Sequence, residues 1–171
     1  MDPDFYLLIE KYVKNREAEG LAKKSKKIIS YKLNIFLDYI KRCGINEIDK
    51  ITVRHVQWFL LHLKRKKRKG KKIYSGHYIY SAFRNISMFF NFLEMNRMVF
   101  ENPCDYIKVK PPKKILPKDI LTEKEMNNLL NVMSSPLLHD KRNRVICDLI
   151  YNTGLRAGEI SNLDIYDIDF K

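Results

Sequence analysis

The sequence predicts an all-α chain: a basic bundle of four helices, then a proline-rich linker, then the first helices of a second, incomplete domain. Apolar residues recur at helical spacing in four stretches before residue 100, and no strand-like alternation interrupts them. Four of the six prolines fall within residues 102–118. The roughly 50 residues that follow, with two or three helices, are too few to bury an independent core.

The first two helices are indicated by apolar stripes. The first covers residues 5–12, where four apolar side chains share one side. The second runs from residue 26 to about residue 41, with apolar residues at the i, i+4, i+7 and i+11 positions. Ser25 is its predicted N-cap, because a serine oxygen accepts a backbone N–H at a helix start. Gly44 is predicted to end the second helix.

The third and fourth helices have similar start signals. The third begins after the cap candidate Thr52 and points five apolar residues inward. The fourth begins after Ser75 and runs to about Arg97. Its predicted core stripe is Ile79, Phe83, Ile86, Phe90 and Leu93.

The region after the bundle starts with an extended segment. Proline lacks an N–H and has a fixed φ, so residues 102–118 are predicted to be a linker between domains. Thr122 and Glu125 have the spacing of a capping box and predict a short helix through Leu130.

Two further helices and a strand are predicted after that. A helix over residues 140–152 ends at Gly154, and residues 155–163 start another. Residues 169–171 resemble the beginning of a strand. The side chains predicted to point inward from the first of these helices are Val145, Ile146, Leu149 and Ile150.

The composition argues against several classes of protein. Cys43, Cys104 and Cys147 are odd in number and widely spaced, which predicts buried free thiols in a reducing cytoplasm. The four histidines show no ligand spacing either, so we expect no metal and no cofactor. No apolar run approaches the roughly 18 residues of a membrane span, and the N-terminus lacks the order of a signal peptide.

The charge of the chain is confined to its first two-thirds. Residues 1–110 contain 24 Lys and Arg against 11 Asp and Glu, whereas residues 111–171 contain nine of each. The whole net charge of +13 therefore belongs to the predicted bundle and its exit. A local excess of this size favours a nucleic-acid partner over a surface that merely aids solubility or touches acidic lipid.

Eight of the nine residues 64–72, which lie between the third and fourth helices, are basic. We call these eight the basic tract. They are expected to contact phosphates without selecting a sequence, although a solvated loop or a localisation signal would have the same composition. The tract consists of Lys64, Arg65, Lys66, Lys67, Arg68, Lys69, Lys71 and Lys72.

Polar faces oppose the core stripes of the second and fourth helices. Such faces suit a major groove, because their side chains hydrogen-bond phosphates and base edges; an ordinary polar surface is the alternative. The face of the second helix comprises Lys24, Lys27, Tyr31 and Asn34. The face of the fourth comprises His77, Ser81, Arg84 and Met88, with Asn85 beside them.

One arginine follows a helix that ends in glycine. Arg156 comes two residues after Gly154, and Glu159 is placed to orient it. An arginine held in this way can present its planar fork to a phosphate. The alternative is a surface Arg–Glu pair worth under ~1 kcal/mol.

In sequence order, these motifs resemble the tyrosine recombinases of the phage-integrase and Xer type. The first arginine motif of that family is similar to residues 153–160, which read Thr-Gly-Leu-Arg-Ala-Gly-Glu-Ile, with Leu163 and residues 167–169 after them. The family's other features are matched by Leu121–Glu125, by Arg142-Asn143-Arg144, by Asn102-Pro103 and its linker, and by Ser30-Tyr31 and Phe36-Leu37 on the second helix.

The resemblance implies a fold and a domain plan. Residues 1–101 would be the family's core-binding domain, a SAM-like four-helix bundle that binds DNA. Residues 102–118 would be the linker, and residues 119–171 the truncated beginning of an α+β catalytic domain. In the family the two domains close around the duplex as a C-shaped clamp. Other recombinase protomers are the further implied partners, and the implied compartment is the cytoplasm.

The resemblance also implies a reaction. Family members cut DNA through a 3′-phosphotyrosine intermediate, and Arg156 would be the first catalytic arginine, supported by Glu159. The lysine, the His-x-x-Arg pair and the tyrosine nucleophile lie further along the chain in the family. Tyr166 is too close to Arg156 to be that nucleophile. We therefore expect this chain alone to be inactive in cleavage.

Two other functions remain open from the sequence. A non-enzymatic architectural or regulatory DNA-binding protein would share the basic bundle. An RNA-binding protein is a weaker alternative, because no aromatic platform on a sheet is predicted.

Overall fold

The computed structural model describes residues 4–113, 120–133 and 135–169. The chain forms two compact units, Met1–Lys114 and Ile115–Lys171. Within the described residues both units are built from helices, apart from one small antiparallel ladder in the first unit. The described residues contain no helix with the length and apolar character needed to cross a membrane.

The first unit contains the four predicted helices. Two of them are longer than the apolar stripes indicated. The helices are α1 (Phe5–Ala18), α2 (Lys23–Arg42), α3 (Val53–Arg65) and α4 (Gly76–Met95), and a 3₁₀ turn (Ile48–Lys50) precedes α3.

The helix ends follow the local sequence with one exception. Thr52 and Ser75 are the N-caps of α3 and α4, and the Ser75 Oγ accepts the N–H of Tyr78 at 3.2 Å. Gly44 follows α2 with a φ of +81°, which is costly for any residue with a side chain. Ser25 is not the N-cap of α2, because its own N–H already donates to the carbonyl of Ala22 at 2.9 Å.

Aromatic rings at the centre of the first unit join three helices. Phe36 of α2 is fully buried and meets Phe59 of α3 edge to face at 5.1 Å between centroids, and Phe90 of α4 at 6.2 Å. From α1, the Tyr12 ring packs edge-on against Phe89 at 5.5 Å. Edge-to-face pairs are favourable beyond the area they bury, so these contacts fix the helices relative to one another.

The core stripe of α4 is confirmed at four of its five predicted positions, Ile79, Ile86, Phe90 and Leu93, and differs at the fifth. Phe83 is only partly buried, whereas Ala82 and Phe89 are fully buried. The reason is tertiary: Tyr12 of α1 covers the side of α4 that carries Phe89. The periodicity of one helix alone cannot show which neighbour completes its core.

Residues 102–113, predicted as part of the linker, pack on the bundle. Asn102 is 1% exposed, and its amide nitrogen donates to the Ser87 carbonyl at 3.3 Å and to the side chain of Asn91. Its oxygen accepts the N–H of Cys104 at 2.9 Å. Burial raises the pKa of the Cys104 thiol to about 12. Ile107 and Val109 then pack against the same core, so this segment is anchored as well as extended.

The second unit contains α5 (Glu123–Val132), α6 (Leu138–Thr153) and α7 (Ala157–Ile160), followed by a 3₁₀ turn (Ile165–Asp167). The capping box before α5 is confirmed. The Thr122 N–H donates to the Glu125 carboxylate at 2.8 Å, and the Thr122 Oγ1 accepts the Glu125 N–H at 3.3 Å. The Thr122 hydroxyl also donates to the Glu125 carboxylate at 2.8 Å, and the two hydrogen bonds that this carboxylate accepts from Thr122 lower the pKa of Glu125. Gly154 ends α6 with a φ of +68°, as predicted.

Few of the described side chains of the second unit are buried. Its buried apolar side chains are Met126 and Leu130. Val145 and Ile150, predicted to point inward, are 57% and 40% exposed, and Ile146 and Leu149 are partly buried. The helices α5, α6 and α7 present too little facing apolar surface to enclose these side chains. Of the predicted strand at 169–171, residues 170 and 171 lie outside the described residues.

The different burial of Phe90 and Phe83 on α4 predicts unequal losses of stability for two substitutions of the same type. Phe90→Ala removes a fully buried ring and should lower the free energy of unfolding by roughly 3–5 kcal/mol. Phe83→Ala, the matched control, should lower it by clearly less, because that ring is partly exposed. Urea unfolding followed by circular dichroism measures both. Equal losses would contradict this packing of α4.

Candidate functional site

The basic tract forms a β-hairpin, which was not predicted from the sequence. Its strands, β1 (Lys67–Arg68) and β2 (Lys71–Lys72), pair antiparallel. Lys69 and Gly70 link them with φ values of +49° and +75°. Two consecutive left-handed residues are what a type I′ hairpin turn requires, and glycine in the second position was the sequence signal that was missed.

The basic side chains of the tract project into solvent. All eight are exposed, and none forms an ion pair with the described residues. The sequence around them also lacks acids: eleven Lys and Arg, but no Asp or Glu, lie between Asp49 and Glu94. Charge of one sign without an internal partner attracts polyanions over several ångströms of solvent.

A column of cations and rings connects the hairpin to α4 and α2. The Lys66 ammonium lies 5.9 Å from the centroid of the Tyr74 ring, which stacks on Tyr78 at 4.6 Å. The Lys32 ammonium lies 5.3 Å from the Tyr78 centroid. Burial raises the pKa of Tyr78 to about 12, so this phenol is neutral near pH 7. These contacts were not predicted, although the i, i+4 spacing of the two tyrosines is visible in the sequence.

The predicted face of α2 is exposed over most of its length. Lys24, Lys27 and Tyr31 are exposed, as a binding face requires. Asn34 is partly buried, and its side-chain oxygen has no hydrogen-bond partner among the described residues. It therefore does not belong to the exposed face.

The predicted face of α4 is divided between surface and core. His77 and Arg84 are exposed, whereas Ser81 and Asn85 are half-buried. Met88 is partly buried and packs against the core. Ser81, Arg84 and Asn85 line a cleft of about 370 Å³ together with residues of α2. Lys24, Lys27, Tyr31 and His77 do not line that cleft.

In the second unit, Arg156 and Glu159 are in contact. Arg156 occupies the N-cap position of α7. The Glu159 carboxylate accepts its backbone N–H at 2.7 Å and its Nη1 at 2.9 Å. The arginine side chain is otherwise 85% exposed. An exposed pair contributes little to stability, so the main consequence of this contact is the direction it gives to the guanidinium.

The structure also places the other candidate groups. Arg142 and Arg144 lie within α6, in agreement with the helix predicted over residues 140–152. Tyr166 is 93% exposed in the 3₁₀ turn. All three cysteines are free, and Cys43 is exposed, contrary to the prediction that all would be buried. No cluster of three or more His, Cys, Asp or Glu suited to a metal ion occurs in the described parts of the chain.

Comparison with known proteins agrees with this architecture. The sequence model of the phage integrase family matches residues 119–171. A tyrosine recombinase of Thermosipho africanus is 31% identical over 146 residues, which cover 82% of this chain and 48% of that protein. The tyrosine recombinase XerA of Pyrococcus furiosus is 31% identical over 166 residues, which cover 96% of this chain and 49% of that protein.

The fold is also found in a solved structure. The Tn1549 transposon integrase, determined in complex with circular intermediate DNA, matches with a TM-score of 0.69 and 21% identity. The match covers 98% of this chain and 52% of the integrase chain. The chain thus spans about half the length of the curated relatives it matches. These similarities and the motifs around Arg156 assign the chain to the tyrosine recombinase family.

Proposed function

We propose that this chain is the DNA-binding part of a site-specific tyrosine recombinase, which cuts and rejoins DNA through a 3′-phosphotyrosine. The observation that carries the proposal is the exposed basic tract, which forms no ion pair with a carboxylate of the described residues. Duplex DNA, with its regularly spaced phosphates, is the partner that such a surface fits. The two recombinase relatives and the DNA-bound integrase support the same substrate class.

The binding surface comprises three elements of the first unit. The hairpin would contact phosphates, while α2 and α4 would present Lys24, Lys27, Tyr31, His77 and Arg84 toward a groove. The hairpin directly precedes α4, and the contacts from Lys66 through Tyr74 and Tyr78 to Lys32 link it to α2. Contacts of the helix faces with base edges or phosphates, and backbone contacts of the hairpin, would then act on one duplex.

In the second unit we propose a catalytic role for Arg156. Its guanidinium would stabilise charge on the non-bridging oxygens of the scissile phosphate, and Glu159 would hold it in direction. The nucleophile and the other catalytic groups would come from the part of the recombinase not represented in these 171 residues. The chain alone would therefore bind DNA without cutting it.

The same proposal implies that the protein assembles with further protomers and works in a particular cellular compartment. Strand exchange needs two duplexes, so further protomers of the recombinase would assemble on the DNA. Three free thiols are compatible with a reducing cytoplasm, where disulfides are rare. We propose the cytoplasm as the working compartment.

DNA binding should depend on the hairpin through its charge. Changing Lys67, Arg68, Lys71 and Lys72 to Gln should flatten the dependence of log K on log salt by up to about 0.9 for each phosphate that the hairpin no longer neutralises. Lys66 and Lys69 are left unchanged, because one packs on Tyr74 and the other has a positive φ. Fluorescence anisotropy with duplex DNA at several salt concentrations measures the slope.

The matched control changes four exposed lysines elsewhere, Lys11, Lys14, Lys50 and Lys124, to Gln. This variant removes the same amount of charge but should retain most of the slope. If both variants flatten it equally, net charge and not the hairpin determines binding.

Catalysis should depend on Arg156 without much effect on binding. In a recombinase of full family length, Arg156→Ala should lower strand cleavage of a suicide substrate by ~10²–10³, the usual loss for one donor to a transition state. Arg142→Ala, an exposed arginine of the same unit, is the control and should cleave normally. Normal cleavage by Arg156→Ala would remove the proposed role.

The same substrate tests whether these 171 residues are sufficient. They should bind it but give no covalent protein–DNA adduct on a denaturing gel. An adduct would mean that a tyrosine in this chain is the nucleophile.

A further inference from the structure

The cleft between α2 and α4 is lined by cations and by no carboxylate of the described residues. Its volume is about 370 Å³. Arg16 is paired with Glu19, so Lys32 and Arg84 are the cations in the cleft that have no ion-pair partner among the described residues. Besides these cations, the polar side chains that line the cleft are Ser25, Tyr80, Ser81 and Asn85.

Lys32 is held in place within this cleft. Its Nζ donates a hydrogen bond to the Ser81 Oγ at 2.6 Å and lies over the Tyr78 ring. Most exposed lysines move freely and lose side-chain entropy when they bind a ligand. Lys32 has lost part of that freedom in the folded protein, so binding an anion costs it less.

The surroundings of Lys32 leave its charge poorly compensated. The ammonium is half-buried, and desolvation lowers the pKa of Lys32. Its partners are one neutral hydroxyl and one ring face. A cation that has lost water and gained no anion gains strongly from a charge-assisted hydrogen bond.

We propose that the α2–α4 cleft binds one phosphodiester of the DNA backbone, with Lys32 as its central cation and Arg84 as the second. This inference rests on the proposed binding of duplex DNA and adds a specific phosphate site to it. A recessed ammonium, anchored between two helices, suits a point contact to phosphate better than it suits the edge of a base.

The aromatic column supports this assignment. Lys32 and Lys66 lie at its two ends, with Tyr74 and Tyr78 between them. The column thus spans from the cleft to the hairpin. A phosphate bound at Lys32 and phosphates bound at the hairpin would therefore belong to one duplex held in a fixed register.

The test uses Lys32→Gln in the full chain with two duplexes of unrelated sequence. The slope of log K against log salt should become less steep by about 0.9, which corresponds to one phosphate. Affinity should fall about tenfold on both duplexes, the loss of one charge-assisted hydrogen bond. Lys32→Arg should keep the slope, because it keeps the charge. Anisotropy at salt concentrations from about 50 to 200 mM covers the useful range.

Lys41→Gln is the matched control on the same helix. Lys41 pairs with Asp4 and does not line the cleft, so its removal should leave the slope unchanged. Arg84→Gln is the second variant, at an exposed position where folding is not at risk. It should also flatten the slope, and equally on both duplexes.

The outcomes separate this inference from the proposed function. If the wild-type chain binds neither duplex, the proposed function fails. If the wild-type binds and neither Lys32→Gln nor Arg84→Gln alters slope or affinity, the phosphate site is refuted while DNA binding stands, and an acidic protein partner becomes the better occupant. A loss of affinity on only one of the two duplexes would show base recognition and would likewise refute the phosphate site.

Discussion

The packing of Phe36 between Phe59 and Phe90 is the interaction on which the rest of the first unit depends. It joins α2, α3 and α4 through buried rings, so the outer faces of these helices have fixed positions. Lys32 meets Ser81 only because α2 and α4 are held side by side. The same packing brings the end of α3 near the start of α4, and the chain between them can then turn back as a tight hairpin.

The unpaired charge of the basic tract costs the folded protein little, because the tract is exposed to solvent. Like charges repel, but water and salt screen them within about 8–10 Å at ordinary ionic strength. Among the described residues, the ion pairs of the first unit lie elsewhere, at Arg16–Glu19, Lys41–Asp4, Lys26–Glu17 and Lys50–Glu47. The hairpin therefore keeps its counterions in solution, and the release of these ions is a driving force that a polyanion can use. Core packing and surface charge are thus separate, and one can be altered without the other.

Helical periodicity predicted all four helices of the bundle, and the Thr122–Glu125 spacing predicted the start of α5, because both signals are local. The sequence-based predictions were wrong where residues far apart in the chain determine which side chains are buried. Phe83 is displaced from the core because α1 covers Phe89, and Asn102 is buried because α4 offers it hydrogen-bond partners. Lys32 was overlooked because its significance comes from Ser81, which is 49 residues away in the chain. The Arg156–Glu159 contact, at i, i+3, was predictable from spacing alone.

We propose that α2, the hairpin and the first half of α4 form one DNA-binding surface. A titration of the isotope-labelled chain with a short duplex, followed by backbone amide NMR, tests it residue by residue. We expect shift changes concentrated in residues 24–34, 64–72 and 76–85, with residues 5–13 and 94–106 nearly unchanged. Changes confined to the latter two ranges, or spread evenly over the unit, would contradict the claim.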